Sequence, residues 1–260
     1  MGNLPISAFI ITKNEERCIG DAIDSISNIA SEIIIVDSGS EDSTCEIAQQ
    51  KGAKVISNEW LGYGPQKRFA EEQCKYDWLL NLDADEVLSP NLQDEIVELF
   101  FNTYPSLSMY RIKVKTVYAF HRKPRLLAEY NNVIRLYNRT INRFPDHPTW
   151  DAIIPNSEDQ VGQLNGDCLH HSSPGIGHYA EKFNRYTTLQ AAEQKLKPYW
   201  ILVVRLLFGF PLDFIKAYML KRHITGGIYG FILSVSYAYS RFLKNAKMME
   251  KHLNQGVKKN

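Results

Sequence analysis

The sequence predicts an α/β fold: a Rossmann-like, mostly parallel sheet in the first hundred residues, an antiparallel extension after it, and amphipathic helices at the C-terminal end. Three observations predict it. Short β-branched and apolar runs alternate with helical patterns between residues 6 and 101, as expected of strand–helix units building a sheet covered on both faces. Three of the runs end in polar, acid-rich clusters: Thr12-Lys13-Asn14-Glu15-Glu16, Asp37-Ser38-Gly39-Ser40 and Asp83-Ala84-Asp85-Glu86. Ligands of such sheets bind beyond the carboxyl ends of the strands. Finally, charge is unevenly divided. Residues 199–260 carry 10 Lys and Arg against 2 acids, and residues 1–198 carry 20 against 27.

The elements follow in order. Residues 6–12 form a β-branched strand, and Ile19, Ala22, Ile23 and Ile26 mark one face of a helix. Residues 32–36 are a second strand, stopped by the Asp37 cluster. Ser43 with Glu46 has the spacing of a capping box opening the next helix. Residues 54–57 are a short strand, 65–75 a helix, 78–82 a buried strand and 92–101 a helix. Beyond this point the period changes. Residues 109–120 alternate as an antiparallel strand does, and 133–137 form another; 121–175, rich in His, Pro, Asn and Asp, suit active-site loops. Residues 182–195 are helical, and Lys197-Pro198 marks a boundary. The expected organisation is an α/β domain at 1–198, divided into halves at 1–101 and 102–198, followed by a helical segment at 199–260.

The last segment is apolar but broken. Arg205, Gly209, Pro211, Asp213 and Lys216 interrupt residues 200–220, and the uncharged stretch 225–240 is shorter than the ~20 residues a spanning helix needs. Lys221, Arg222, Arg241, Lys244, Lys247 and Lys251 flank or follow these stretches. An interfacial amphipathic hairpin fits them, with Tyr199, Trp200, Phe208, Phe210 and Phe214 as anchors on an anionic membrane surface. A helical cap on the catalytic domain with solvated lysines is the plain alternative. The four cysteines form no CxxC pair, so a reducing cytoplasm is the expected compartment. The first residues lack the pattern of a signal peptide and the Ser or Thr of a myristoylation motif. No nucleic-acid recognition motif is present, and nucleic acid is not an expected partner.

Two carboxylates one residue apart, Asp83 and Asp85, end the strand at 78–82 and can both reach a cation such as Mg²⁺ or Mn²⁺, which takes oxygen ligands and leaves positions for phosphate. An acidic turn is the alternative. Asp37, beside Gly39, can accept a hydrogen bond from a ring N–H, or simply form an Asp-Ser-Gly turn. Glu15 is a strand-end acid or a helix-start acid. Lys67 and Arg68 can hold a pyrophosphate or line a solvated helix face.

ISAFIITKNEE, IIIVDSGSEDST, GYGPQKRFA and DWLLNLDADE occur in this order and at this spacing. The chain thereby resembles the family 2 glycosyltransferases. More narrowly, with YNNVIRLYNR, GQLNGDCLHHSS, FNRYTTLQAAE and FLKNAKMME, it is similar to the bacterial lipopolysaccharide core β-1,4-glucosyltransferases. The resemblance covers nearly the whole chain and implies a GT-A fold, a UDP-sugar donor, and inverting transfer of a hexose to a lipid-linked saccharide at the inner face of the cytoplasmic membrane. It implies that Asp37 reads the uracil ring and that Asp83 and Asp85 form the metal site, Asp85 the more direct ligand. His170 or His171 would assist the metal or diphosphate. Thr12, Glu15, Ser38, Lys67 and Arg135 are the remaining candidate donor-binding positions, and His170 joins Asp83 and Asp85 as candidate metal ligand. The subfamily's Val-His-Glu after a Phe is replaced here. Phe144 is followed by Pro-Asp-His-Pro and then Thr149-Trp150-Asp151, so Asp151 keeps the carboxylate of the expected catalytic base and Trp150 replaces the His. Asp146 and His147 are the alternative bases, and a helix N-cap is the structural alternative for Asp151.

Three other classes are separable. A nicotinamide dehydrogenase would show GxGxxG where Thr12-Lys13-Asn14-Glu15 stands. A metal-dependent nucleotide-sugar phosphohydrolase would use the same acids without an acceptor. A non-catalytic membrane-surface protein would use only the basic tail.

Overall fold

The computed structural model describes residues 4–101, 104–156, 160–171 and 175–257. Met1-Gly2-Asn3, the Ser172-Ser173 end of one motif and the Lys258-Lys259 end of the basic tail lie outside them. The described chain forms two compact units: residues 1–116 with 130–171, and residues 117–129 with 172–260. The expected boundary at Lys197-Pro198 falls inside the second unit.

The first unit is built on one eight-stranded sheet of order β3-β2-β1-β4-β7-β6-β8-β5. β1 (Leu4–Thr12), β2 (Ala30–Asp37), β3 (Lys54–Ser57) and β4 (Trp78–Asp83) are mutually parallel. The extension is mixed. β7 (Tyr130–Asn138) runs antiparallel to β4 and to β6 (Met109–Thr116), while β8 (Val161–His170) runs parallel to β6 and antiparallel to the short β5 (Glu86–Leu88). The expected mostly parallel sheet with an antiparallel extension is therefore present.

Period-two alternation places the core. On β1, Ile6, Ala8 and Ile10 join Leu80 and Leu82 of β4 in one apolar layer, with Ile19, Ala22 and Ile23 of α1 (Ile19–Asp24) and Leu92 and Ile96 of α4 (Pro90–Phe100). Phe9, Ile34, Val36 and Leu79 point to the other face, where they meet Ala70 of α3 (Tyr63–Gln73) and Phe144. Alternate residues of β1 and β4 thus bury both faces, which is why these strands read as continuous apolar runs.

Several expectations change. Beyond the strand expected at 133–137, which is present within the longer β7, residues 121–175 also hold β8, and the strand expected over 109–120 stops at Thr116. The capping box is not formed. Ser43 precedes α2 (Thr44–Gln50) without a side-chain cap; Asp42 Oδ1 accepts instead from Thr44 N at 3.0 Å, and Glu16 Oε2 accepts from Ser43 N at 3.1 Å. Asp151 caps no helix, because its surroundings are irregular.

The second unit contains α5 (Ile176–Glu193), α6 (Tyr199–Ile215), a π-helical turn (Lys216–Leu220), a 3-10 turn (His223–Gly226) and α7 (Gly227–Val257). Among the described residues no helix is long and apolar enough to cross a membrane. The lysines of α7 are not a solvated face. Lys244 is buried, and Lys247 Nζ donates to Asn184 O, Asn184 Oδ1, Thr187 Oγ1 and Thr188 Oγ1 at 2.7–2.9 Å. Lys251 donates to the carbonyl of Ala191 near the C-terminus of α5, where a cation also meets the negative end of the helix dipole. Of the expected anchors, Tyr199, Trp200 and Phe208 are exposed, whereas Phe214 stacks on Tyr218.

Candidate active site

Strand register brings three expected residues side by side. Thr12 pairs with Asp37 across β1 and β2, and Ile11 pairs with Asp83 across β1 and β4. The carboxyl ends of three parallel strands therefore present Thr12, Asp37 and Asp83 in one row.

Asp37 organises its own loop. Its Oδ2 accepts from Gly39 N and Ser40 N, both at 2.9 Å, and its Oδ1 accepts from Ser40 Oγ. Gly39 has φ +86°, a left-handed conformation that suits glycine. Ser38 Oγ accepts from Gln66 Nε2 at 3.0 Å. Thr12 Oγ1 is buried with no hydrogen-bond partner among the described residues.

Asp83 lies between two buried cations. Arg135 Nη2 donates to Asp83 Oδ2 at 2.7 Å and to Glu86 Oε1 at 2.6 Å; Arg135 Nη1 donates to Asn81 Oδ1 at 2.7 Å. Lys67, with no exposed surface, donates to Asn81 Oδ1 at 3.1 Å and Asp83 Oδ1 at 3.2 Å and forms an ion pair with Asp151. Its ammonium also stands 4.8 Å from the centroid of Phe144. Burial alone would raise the Asp83 carboxyl, but the charges of Arg135 and Lys67 hold it far below the usual range. Burial pushes Glu86 up, against the opposing charge of Arg135.

Asp85 has a different neighbour. His170 Nε2 lies 3.0 Å from Asp85 Oδ2. Burial disfavours the imidazolium, but the hydrogen bond and charge of Asp85 prevail and raise the pKa of His170. Glu15, burdened by burial and then by the Asp85 charge, is raised to about 7. The expected ligand set is thus divided: Asp85 and His170 are together, while Asp83 is engaged by Arg135 and Lys67. Among the described residues, no three His, Cys, Asp or Glu side chains form a ready-made cation site. The alternative histidine, His171, instead uses its backbone, donating N–H to Asp85 O at 2.8 Å.

The segment carrying Asp151 is seated on α3. Tyr63 N donates to Pro148 O at 2.9 Å and Gly64 N to His147 O at 3.3 Å. A Cβ on Gly64 would stand 2.1 Å from Pro145 O, and one on Gly62 (φ +119°) 2.4 Å from Pro148 Cα, so both positions need glycine. Buried Glu71 accepts from Phe144 N at 3.0 Å and Tyr137 Oη at 2.7 Å, and Arg68 Nη1 donates to Phe144 O at 3.2 Å. Of the three candidate bases, Asp151 is the one ion-paired with Lys67; Asp146 is exposed, and the ring of His147 packs 5.2 Å from that of Trp150. Sequence reading missed Asn81, Glu86, Glu71 and the Gly62/Gly64 seat. An asparagine inside the apolar run Trp78-Leu79-Leu80-Asn81-Leu82 was the available signal for the first.

A mostly parallel sheet with acidic strand ends, extended by a mixed set of strands, is an α/β fold of GT-A type. The model of glycosyl transferase family 2 matches residues 7–157, and the chain belongs to this family. It is 41% identical over 253 residues to a glycosyltransferase of uncharacterised activity from Rickettsia typhi, a match covering 94% of this chain and 87% of that one. It is 32% identical over 256 residues to the lipopolysaccharide core biosynthesis glycosyltransferase LpsC of Rhizobium meliloti, covering 96% and 93% respectively. Among solved structures, S. aureus TarS is similar at 16% identity and TM-score 0.47, covering 97% of this chain and 92% of that one. Glucosyl-3-phosphoglycerate synthase from Mycobacterium tuberculosis is similar at 22% identity and TM-score 0.41, covering 72% and 78%. Both structural likenesses are too distant to carry a function.

Proposed function

We propose that this glycosyltransferase moves a hexose, glucose from UDP-glucose, with inversion onto a lipopolysaccharide inner-core or other lipid-linked saccharide. The name of the Rhizobium meliloti relative supports the acceptor class. The observation that carries the mechanism is the bridge from Asp83 through Lys67 to Asp151, which sets a candidate base against the row of donor-side residues. Asp151 accepts the proton of an acceptor hydroxyl as that oxygen forms its bond to the anomeric carbon. The bond from that carbon to the diphosphate breaks in the same displacement, and UDP leaves with its electron pair. Lys67 and Arg135 then act by holding the carboxylates in place.

Asp37 and Ser38 would border the nucleotide, and the unpartnered hydroxyl of Thr12 is a buried group that a donor atom would satisfy. Asp85 and His170 offer one carboxylate oxygen and one imidazole nitrogen within 3.0 Å of each other. Together with diphosphate oxygens, that donor set fits Mg²⁺ or Mn²⁺. When bound, the cation would neutralise charge on the departing diphosphate.

Membrane association is part of the same reading. Trp200, Val204, Leu207, Phe208, Leu212 and Ile215 of α6 are all exposed and recur at three- and four-residue spacing. This apolar stripe suits the interface of the inner leaflet rather than water. A panel of nucleotide sugars with Mg²⁺ or Mn²⁺ and a lipid-linked acceptor tests the proposal. Transfer from UDP-glucose with inverted anomeric configuration is the expected result. Release of nucleoside monophosphate or free phosphate at the same rate with and without acceptor would show a phosphohydrolase instead.

A further inference from the structure

The excursion between β6 and β7, residues 117–129, leaves the sheet and belongs to the second unit. Arg125 fastens it there: Nε donates to Tyr118 Oη at 2.8 Å and Nη2 to the carbonyl of Lys221 at 2.8 Å. Thr225 Oγ1 donates to Leu126 O at 2.6 Å, and the ring of Phe120 lies edge-on to Tyr229, 6.3 Å between centroids. Two segments about a hundred residues apart in sequence are thus joined, 117–129 and 216–228.

What this junction exposes is unusual for a water-facing loop. Phe120 is 87% exposed, Leu126 75%, Leu127 58% and Ile228 76%. Phe120 and Leu127 also adopt positive φ, +65° and +56°, a conformation bulky side chains rarely take. Arg122, Lys123, Lys216 and Arg222 are exposed on the same two segments. Together the segments hold six Lys and Arg against one acid, Glu129.

We infer that the 117–129 excursion is a second membrane-docking element: Phe120, Leu126 and Leu127 enter the interface of an anionic lipid surface while Arg122 and Lys123 meet its headgroups. The inference rests on the membrane reading above and extends it to a part of the chain outside the C-terminal helices. Charge selects the occupant. A second copy would bring the same cations against one another in a symmetric pair, whereas an anionic bilayer complements them and takes the aliphatic side chains as well.

The test uses the full chain and sedimentation with vesicles of phosphatidylglycerol and phosphatidylethanolamine, against vesicles of phosphatidylcholine. Phe120→Ser/Leu126→Ser/Leu127→Ser and Arg122→Ser/Lys123→Ser are compared with the exposed control Ile141→Ser. The triple variant should lose about tenfold or more in partitioning to anionic vesicles. The charge variant should lose roughly as much at low salt and less at high salt, and the control should match the unaltered chain. Should the triple variant fold poorly, a fluorophore on Leu126→Cys in a Cys45→Ser background should shift its emission to the blue on anionic vesicles. Binding by the unaltered chain that neither variant weakens, or an unshifted fluorophore on bound protein, would overturn the excursion's role and leave α6 as the anchor. No binding by the unaltered chain would overturn both readings. A dimer that the triple variant abolishes, without vesicle binding, would assign the surface to a second copy.

Discussion

Lys67→Met removes one positive charge from the centre of the site and keeps most of the buried side-chain volume. The ammonium has no exposed surface and is shared among Asn81, Asp83, Asp151 and the ring of Phe144. Breaking a buried ion pair from one side costs about 3–5 kcal/mol. The side chains of Asp83 and Asp151 are 32% and 39% exposed, so water recovers part of that loss; about 2–3 kcal/mol is expected. Asp83 keeps Arg135 at 2.7 Å, and the larger loss of position falls on Asp151. Misplacing a reacting group by an ångström costs about a hundredfold in rate. Lys67→Met should therefore lower kcat about a hundredfold or more while donor affinity changes by less than about tenfold. Single-turnover kinetics and calorimetry with UDP separate the two effects. A double-mutant cycle with Asp151→Asn should show coupling of about 1–3 kcal/mol. If kcat is kept and only UDP binding is lost, Lys67 contacts the nucleotide as the family resemblance implies, and the positioning argument is refuted.

Four further outcomes are expected. Asp85→Asn should reduce transfer by orders of magnitude, and chelation of the unaltered protein should do the same; full activity in EDTA would remove the cation from the mechanism. Asp37→Ala strips two backbone N–H groups of their acceptor and should weaken UDP binding about ten- to hundredfold, corresponding to about 1–3 kcal/mol, which calorimetry would register. Gly64→Ala places a methyl group 2.1 Å from Pro145 O; a stability loss of about 1–3 kcal/mol in denaturant melts and a lower kcat at preserved donor affinity should follow. His223 is lowered to about 4 by burial and then by Arg125 and Lys221, so the unfolded chain takes up its proton first as pH falls. The neutral ring's contribution is complete above about pH 6.5 and is lost as pH falls toward 4. Melts at pH 7 and pH 5 should differ less for His223→Asn than for the unaltered protein.

How much of this was legible in the sequence depends on whether a residue's fate is local. β1, β2 and β4 were visible because both faces are buried, which leaves largely apolar runs ending at Thr12, Asp37 and Asp83. β8 was not. Its Val161-Gly162-Gln163-Leu164-Asn165-Gly166-Asp167-Cys168 carries exposed polar residues, and its partners β6 and β5 are distant in sequence. Gly166 is small because Leu92 of α4 lies against it, 2.5 Å from where a Cβ would stand, and no local pattern reports that contact. Lys67 and Arg135 could be noticed as cations but not assigned. A long basic side chain on a helix or strand turns inward only because Asp83, Glu86 and Asp151 wait there. The basic tail shows the converse: Lys247 and Lys251 place their charge on the carbonyls of α5, a tertiary match that composition cannot show.

The charge arrangement separates the site into two halves with different tasks. Around Lys67 and Arg135, three carboxylates (Asp83, Glu86 and Asp151) meet two permanent cations. Geometry there is fixed by ion pairs before any ligand arrives, which is what a base held ready for a hydroxyl needs. Around Asp85 the ion-pair partner among the described residues is His170, whose charge depends on protonation, and Glu15, raised first by burial and then by the Asp85 charge, stands at about 7. The carboxylates on the Asp151 side thus have Lys67 and Arg135 as partners, whereas Asp85 is paired with a titratable imidazole. A divalent cation at Asp85 and His170 would relieve Glu15 and bring a diphosphate with it, while the same ion at Asp83 would have to displace both Arg135 and Lys67. On the proposed reading, Asp83 would fix the frame against which donor and base are aligned. Its replacement by Asn should disturb Arg135, Glu86 and Asp151 together, whereas Asp85→Asn should leave those contacts intact and act on the cation alone.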